Sequence, residues 1–260
     1  MELDLTGKVA LVTGTGRGIG LATVRALQHE GAKVVAATRS ASAELASTGA
    51  TMIQADLTTS EGVASVVAAI QRTHGRLDLL VNNVGGGTRL GLAPFAQLND
   101  ADWQDAWETN LMSAVRVTRA ALPLFPDDGG AIVNVSSIGA RKPDGPPLAY
   151  NVAKAALTAF GIGVAAELAQ AKIRINTVSP GPTRTGMWES ESGLGGQLAA
   201  ALGAPIGAIV AGAPEQVGMV TGRLSEPEEV ADLICFLLSD RAGNITGSDY
   251  LIDGGAVRTV

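Results

Sequence analysis

Val9-Ala10-Leu11-Val12-Thr13-Gly14-Thr15-Gly16-Arg17-Gly18-Ile19-Gly20 runs from a short apolar stretch into a glycine-rich loop, and an apolar helix-forming segment follows from near Leu21. Gly14, Gly18 and Gly20 are spaced G-x-x-x-G-x-G. Glycine permits a tight turn and close approach to the backbone, and a helix starting directly after the loop presents free amides and a positive dipole end to an anion. A strand before and a helix after are what separate a pyrophosphate-binding loop from a plain turn.

The same rhythm repeats outward from this unit. Short apolar runs at 34–37, 52–53, 79–81, 132–135, 175–178 and 250–252 alternate with longer helical stretches. Runs apolar on both faces imply strands covered by helices on both sides. The expected fold is therefore α/β: a doubly wound parallel sheet (Rossmann fold) of about seven strands. One domain is expected over residues 1–260, with ligands bound at the carboxyl ends of the strands.

Composition narrows the partners. The chain has 260 residues, 46% of them hydrophobic and 17% charged, enough for one large core. A net charge of −6 offers no basic patch, so small molecules are expected and nucleic acid is not. Glu2-Leu3-Asp4-Leu5 leads straight into the first strand, unlike a basic leader with an apolar run, and a cytoplasmic location is expected. Cys235 is the only cysteine, which excludes an internal disulfide and a cysteine-rich zinc site; it reads as a buried small hydrophobe, and no metal is expected.

Residues 192–214 carry no charge and are long enough to span a bilayer. They are mostly Gly and Ala, and Pro205 interrupts them. Leu194, Leu198, Leu202, Ile206 and Ile209 recur every three to four residues, which describes one apolar helix face. A helical flap is expected, not a membrane span.

About 20 residues past the glycines, NAD-binding chains carry an acid for the ribose 2′-hydroxyl. Thr38-Arg39 stands there instead. Arg39, helped by Arg17, could grip a 2′-phosphate bidentately, which favours NADP(H) over NAD(H). Arg39 could also stack on adenine.

Tyr150 and Lys154, four residues apart, fall on one helix face. A phenol titrates near pH 10, so proton transfer at neutral pH needs a positive charge close by. Lys154 is placed to supply it.

The glycine spacing, Asn82-Asn83-Val84-Gly85 after the fourth strand and Tyr150-x-x-x-Lys154 together resemble the short-chain dehydrogenase/reductase family in its single-domain form. The resemblance covers nearly the whole chain, through Asn110, Ser136-Ser137, Pro180-Gly181, Ile245-Thr246-Gly247 and Asp253-Gly254-Gly255. Val84 stands where the family usually has alanine. The resemblance implies a catalytic tetrad of Asn110, Ser137, Tyr150 and Lys154. Ser137 would bond the substrate oxygen, Tyr150 would move the proton, Lys154 would lower the tyrosine pKa and hold the nicotinamide ribose, and Asn110 would hold a water chain.

For the cofactor, the resemblance implies Gly14, Gly18, Ile19 and Gly20 at the pyrophosphate, with Arg17 beside them on the 2′-phosphate side. Arg39, Asp56, Leu57, Asn83 and Gly85 are implied on the adenine and ribose side. Tyr150, Lys154, Pro180, Gly181 and Thr185 are implied at the nicotinamide. Asp56 could instead cap the following helix. A homotetramer or homodimer is implied, and a lid at about residues 186–222 that closes over the substrate.

Met187, Trp188 and the leucine stripe would make that lid apolar, with glycines as hinges. The stripe could equally pack on the core or on a neighbouring subunit. Arg141 and Lys142 could meet an acidic substrate group or solvent. His29 and His74 are expected as solvated helix-end residues. The expected activity is hydride transfer between NADP(H) and a secondary alcohol/ketone pair. An NAD-dependent alcohol dehydrogenase is one alternative, and a cofactor-binding sensor without turnover, which needs the glycine loop but not the tetrad, is another. An extended nucleotide-sugar epimerase fails on length and on glycine spacing.

Overall fold

The computed structural model describes residues 2–86 and 92–258. The strands are β1 (Val9–Thr13), β2 (Lys33–Thr38), β3 (Thr51–Gln54), β4 (Leu79–Asn82), β5 (Gly130–Val135), β6 (Ile173–Pro180) and β7 (Asp249–Ile252). All seven expected runs fall in them. They form one parallel sheet in the order β3-β2-β1-β4-β5-β6-β7.

The helices are α1 (Gly18–His29), α2 (Ala43–Ala46), α3 (Ser60–Thr73), α4 (Asp100–Trp107), α5 (Ser113–Ala121), α6 (Leu148–Leu168), α7 (Gly186–Glu189), α8 (Leu194–Leu202), α9 (Ile206–Val217) and α10 (Pro227–Leu238). Successive strand residues point to opposite faces, so every central strand feeds two cores. Ala10, Val12, Val34, Ala36 and Val81 meet Leu21, Val24 and Leu27 of α1 and Val230, Ile234 and Leu237 of α10. Leu11, Val35, Leu80, Ile132 and Ile175 meet Val63, Val66 and Ile70 of α3, Val117 of α5 and Leu168 of α6. Burial of each large aliphatic side chain contributes about 1.5–3 kcal/mol, and this holds both helix layers on the sheet.

β1 pairs with β2 on one side and with β4 on the other. The strand order reverses there, and a crevice opens at the carboxyl ends of β1 and β4.

Three local expectations are corrected. Helix α1 begins at Gly18 rather than near Leu21, so Gly18, Ile19 and Gly20 form its first turn. His74 ends α3, but its Nε2 is buried without a hydrogen-bond partner rather than solvated. His29 is the exposed last residue of α1.

The segment expected as an apolar flap also differs from expectation. The chain bends by 98° between α8 and α9, with Gly203 in the left-handed region and Pro205 capping α9. The buried residues of α8 are Gly195, Gly196 and Ala199; Leu194 and Leu198 are half-buried and Leu202 is 65% exposed. A β-carbon on Gly193 would strike the carbonyls of Gly186 and Met187, and one on Gly195 the carbonyl of Trp188. These glycines are close-packing contacts, not hinges. The leucine stripe is pushed off the packed face because only the glycine side lets α8 approach α7.

Candidate active site

The glycine loop fits an anion. Gly14 and Gly18 take positive φ, and a β-carbon on Gly20 would collide with the Gly14 carbonyl. Arg17, the N-cap of α1, makes no side-chain cap bond, and no acid occupies the first turn, so the amide end of the helix is left for a ligand. Thr185 lies over this loop: its Cγ2 is 3.1 Å from the position of a Gly18 β-carbon. Thr185 also caps α7 by accepting from Met187 N.

Asn83 is not free to line a ribose by its amide. Nδ2 donates to the carbonyls of Thr13 and Gly14 at 3.0 and 3.1 Å, and its backbone N donates to Thr13 Oγ1 at 2.9 Å. It is a strut between the ends of β1 and β4. Gly85 lies on the Lys154 side of the crevice, not beside the Asn83 amide: a β-carbon there would stand 2.8 Å from Lys154 Nζ and 3.3 Å from Asn110 Oδ1.

At the end of β2, Arg39 is exposed, and its charge helps hold the Asp56 carboxyl below its usual range, behind the larger effect of the Thr58 backbone hydrogen bond. Asp56 Oδ1 accepts from Thr58 N at 3.0 Å and from Thr58 Oγ1 at 2.8 Å. Asp56 therefore shapes a turn, while Thr59 caps α3. Leu57 is buried beside it, packed with Val63 and Val66. On the far side of the crevice, Pro180 ends β6 and Gly181 N donates to Ile252 O at 3.0 Å.

Helix α6 carries Tyr150 and Lys154 beneath the end of β5, with Lys154 Nζ 5.7 Å from the centre of the Tyr150 ring. Nζ donates to Val135 O at 2.8 Å. Ser136 Oγ donates to Lys154 O at 2.9 Å and meets Thr158 Oγ1 at 2.8 Å, tying this helix turn to the strand end. Ser137 stands close enough to the Tyr150 phenol to favour its ionised form. Asn110, wholly buried, sits in a π-helical turn, Glu108–Met112, of the kind that recurs at functional sites. Its amide is spent on backbone: Gly86 N donates to Oδ1 at 2.9 Å, and Nδ2 donates to Gly86 O at 2.8 Å and Ala106 O at 3.0 Å.

The electrostatics differ from the expectation that Lys154 lowers the tyrosine pKa. Burial raises the Tyr150 phenol above its ordinary value, and the Ser137 hydrogen bond pulls it only part of the way back. Burial also pushes the Lys154 ammonium down to about 7. Desolvation penalises the charged form of each, so the phenol keeps its proton while the ammonium is ready to lose one.

A family model described as Enoyl-(Acyl carrier protein) reductase matches residues 14–257. The chain belongs to the short-chain dehydrogenase/reductase family. It is 34% identical, over 98% of both chains, to 2,3-dihydro-2,3-dihydroxybenzoate dehydrogenase of Escherichia coli K12. It is also 34% identical to the 3-oxoacyl-[acyl-carrier-protein] reductase FabG of Vibrio cholerae, over 97% of this chain and 98% of that one. The crystal structure of L-sorbose reductase from Gluconobacter frateurii, complexed with NADPH and L-sorbose, superposes with a TM-score of 0.90 at 33% identity over 100% of both chains. The protein is an NAD(P)-binding oxidoreductase acting on CH–OH/C=O groups.

The fold decides the surroundings of several further residues of this short-chain oxidoreductase. Met187 reaches over the crevice, its Cε 3.8 Å from the position of a Gly86 β-carbon, whereas Trp188 turns away into a small apolar cluster with Val210, Ala213 and Leu224. Arg17 lies against Gly186, its Nη1 3.3 Å from the position of a β-carbon there. Asn82 and Asn134, polar residues inside apolar strands, bond each other at 2.9 Å; for Asn134 that placement was the only signal in the sequence. Arg141 is committed to Asp249 rather than left for substrate, and Lys142 is exposed. Cys235 is buried, and burial pushes its thiol up to about 12, which makes it inert. Among the described residues, no cluster of His, Cys, Asp or Glu could hold a metal ion.

Proposed function

We propose that this enzyme transfers a hydride between NADP(H) and a secondary alcohol/ketone pair, with Tyr150 as general acid and base, in one cytoplasmic domain. The observation that carries this reading is the meeting of Ser137, Tyr150 and Lys154 at the end of β5, with Asn110 and Gly85 closing the side toward β4. The glycine cradle, which side chains would fill, and the uncapped N-terminus of α1 fit a dinucleotide. Gly14, Gly18, Ile19 and Gly20 would hold its pyrophosphate, Lys154 its nicotinamide ribose, and Pro180, Gly181 and Thr185 its carboxamide side.

A bound nicotinamide supplies or accepts the hydride. Ser137 donates a hydrogen bond to the substrate oxygen as negative charge develops on it. Tyr150, kept protonated by its burial, gives its proton to that oxygen, or takes one in the reverse direction. Lys154, with its pKa near 7, can pass a proton toward the phenol at neutral pH. Asn110 holds Gly86, and with it the loop that flanks Lys154.

Arg39, exposed at the end of β2 where a carboxylate would repel a 2′-phosphate, supports NADP(H), and the NADPH named with L-sorbose reductase supports it further. Met187 would roof the substrate. The outer face of α6 leaves Val152 and Ile162 exposed on a helix of mean hydropathy 1.5, which supports a homodimer or homotetramer.

The test is NADPH and NADH oxidation over a panel of ketones, 3-oxo esters, quinones and ketoses, with Tyr150→Phe alongside. Turnover that prefers NADPH and vanishes in the variant while NADPH still binds is expected. Equal turnover in Tyr150→Phe would remove the proton-transfer role, and tight binding without turnover on any compound would favour a sensor.

A further inference from the structure

The chain after Ser137 turns through a short 3-10 helix, Ile138–Ala140, and ends at Arg141. Every step of this turn is hydrogen-bonded backward. Gly139 N donates to Ser137 Oγ at 3.1 Å, Ala140 N to Ser137 O at 3.0 Å, and Arg141 N to Ile138 O at 2.9 Å. The position of Arg141 is thereby transmitted to Ser137. Ser137 Oγ accepts from Gly139 N, and its single hydrogen remains free to be donated.

Arg141 reaches the first residue of β7. Its Nε donates to Asp249 Oδ2 at 2.8 Å and its Nη2 to Asp249 O at 3.2 Å. The other carboxylate oxygen, Oδ1, accepts from Ser179 Oγ at 2.6 Å. Ser179 is wholly buried and immediately precedes Pro180. One carboxylate thus joins β7, the cofactor-side end of β6 and the turn that carries Ser137. Surface ion pairs contribute little, but the Asp249 side chain is only 3% exposed, and leaving such a carboxylate unpaired is costly. On its opposite side the turn is clamped by α6, since Gly139 packs against the amide of Asn151, the residue after Tyr150.

We propose that Arg141 and Asp249 are a positioning pair that holds Ser137 within hydrogen-bond range of Tyr150 and of the substrate oxygen, and that Arg141 does not bind substrate. This rests on the catalytic reading above. Ser137 acts on charge that develops in the transition state, so its displacement lowers kcat rather than substrate affinity. Arg141 is 35% exposed, which makes it the side of the pair that tolerates substitution.

The experiment compares Arg141→Met, Arg141→Lys, Ser137→Ala and the double variant Arg141→Met/Ser137→Ala, using NADPH and the best ketone from the panel. Arg141→Met is expected to lower kcat roughly tenfold, with the ketone KM and the NADPH Kd nearly unchanged. Arg141→Lys keeps one donor but not the second and should recover part of that loss. In the Ser137→Ala background, adding Arg141→Met should cost less than about twofold, since Arg141 acts through a hydroxyl that is no longer there. A further tenfold loss in that background, or a raised KM with unchanged kcat, overturns the proposal. Full activity of Ser137→Ala overturns the catalytic reading itself, and the pair's role with it. If Arg141→Met melts below the assay temperature, Arg141→Lys and Arg141→Gln carry the same comparison.

Discussion

Gly85 leaves the space that Lys154 occupies: a β-carbon on Gly85 would lie 2.8 Å from Lys154 Nζ, closer than such atoms approach without displacement. The end of β4 and the middle of α6 are therefore fitted to one another at an atom the proposed chemistry needs.

Gly85→Ala tests that fit. The methyl group forces Lys154 away from Val135 O or displaces the loop that Asn110 holds. Turnover is expected to fall by roughly tenfold or more, with little change in melting temperature, because Gly85 itself is exposed. Unchanged kcat would show that Lys154 has freedom the geometry denies it.

Lys154 also predicts a pH dependence of stability. In the unfolded chain it keeps its proton up to about its ordinary value of 10.5, whereas burial pushes the folded value to about 7. Between these values the unfolded state binds more protons, so the contribution of this site to stability rises as pH climbs through that window and is lowest, and flat, below 7. Lys154→Met removes the penalty. Its melting temperature relative to the parent should be more favourable at pH 6 than at pH 9.5; equal differences at both would contradict the burial argument.

Arg39→Ala should reduce kcat/KM for NADPH by roughly ten- to a hundredfold, the loss of one charge-assisted contact, while NADH is little affected. If both cofactors suffer equally, Arg39 stacks on adenine rather than gripping a phosphate.

The glycines of α8 and α9 divide into two physical kinds. A β-carbon on Gly212, inside α9, meets nothing within 4 Å, whereas one on Gly195 runs into the Trp188 carbonyl. Gly212→Ala should stabilise by about 0.5–1 kcal/mol through reduced chain entropy. Gly195→Ala should destabilise by about 1–3 kcal/mol by forcing α8 off α7. Urea midpoints of the two variants measure both signs directly.

The seven strands, the glycine loop and the Tyr150/Lys154 pairing were legible in the sequence because each depends on neighbours a few residues away. Apolar runs of strand length, glycines between a strand and a helix, and a spacing of four on a helix are local facts. The start of α1 was misplaced by three residues because Gly18, Ile19 and Gly20 look like loop until the anion-facing turn is seen as helix. The π-helical turn at Asn110 has no local pattern that marks it.

The doubly wound sheet, with the chemistry-bearing residues at its strand ends, follows from local sequence pattern alone. Long-range packing sets the Asn83 amide as a brace on β1, turns Trp188 toward Val210, Ala213 and Leu224 rather than over the crevice, and commits Arg141 to Asp249, 108 residues away. It also decided the sign of the electrostatics: a lysine four residues from a tyrosine promises a cation, but burial leaves that lysine near neutrality at about 7. Secondary structure follows from short-range geometry, whereas packing, desolvation and hydrogen-bond partners depend on which distant segments the fold brings together.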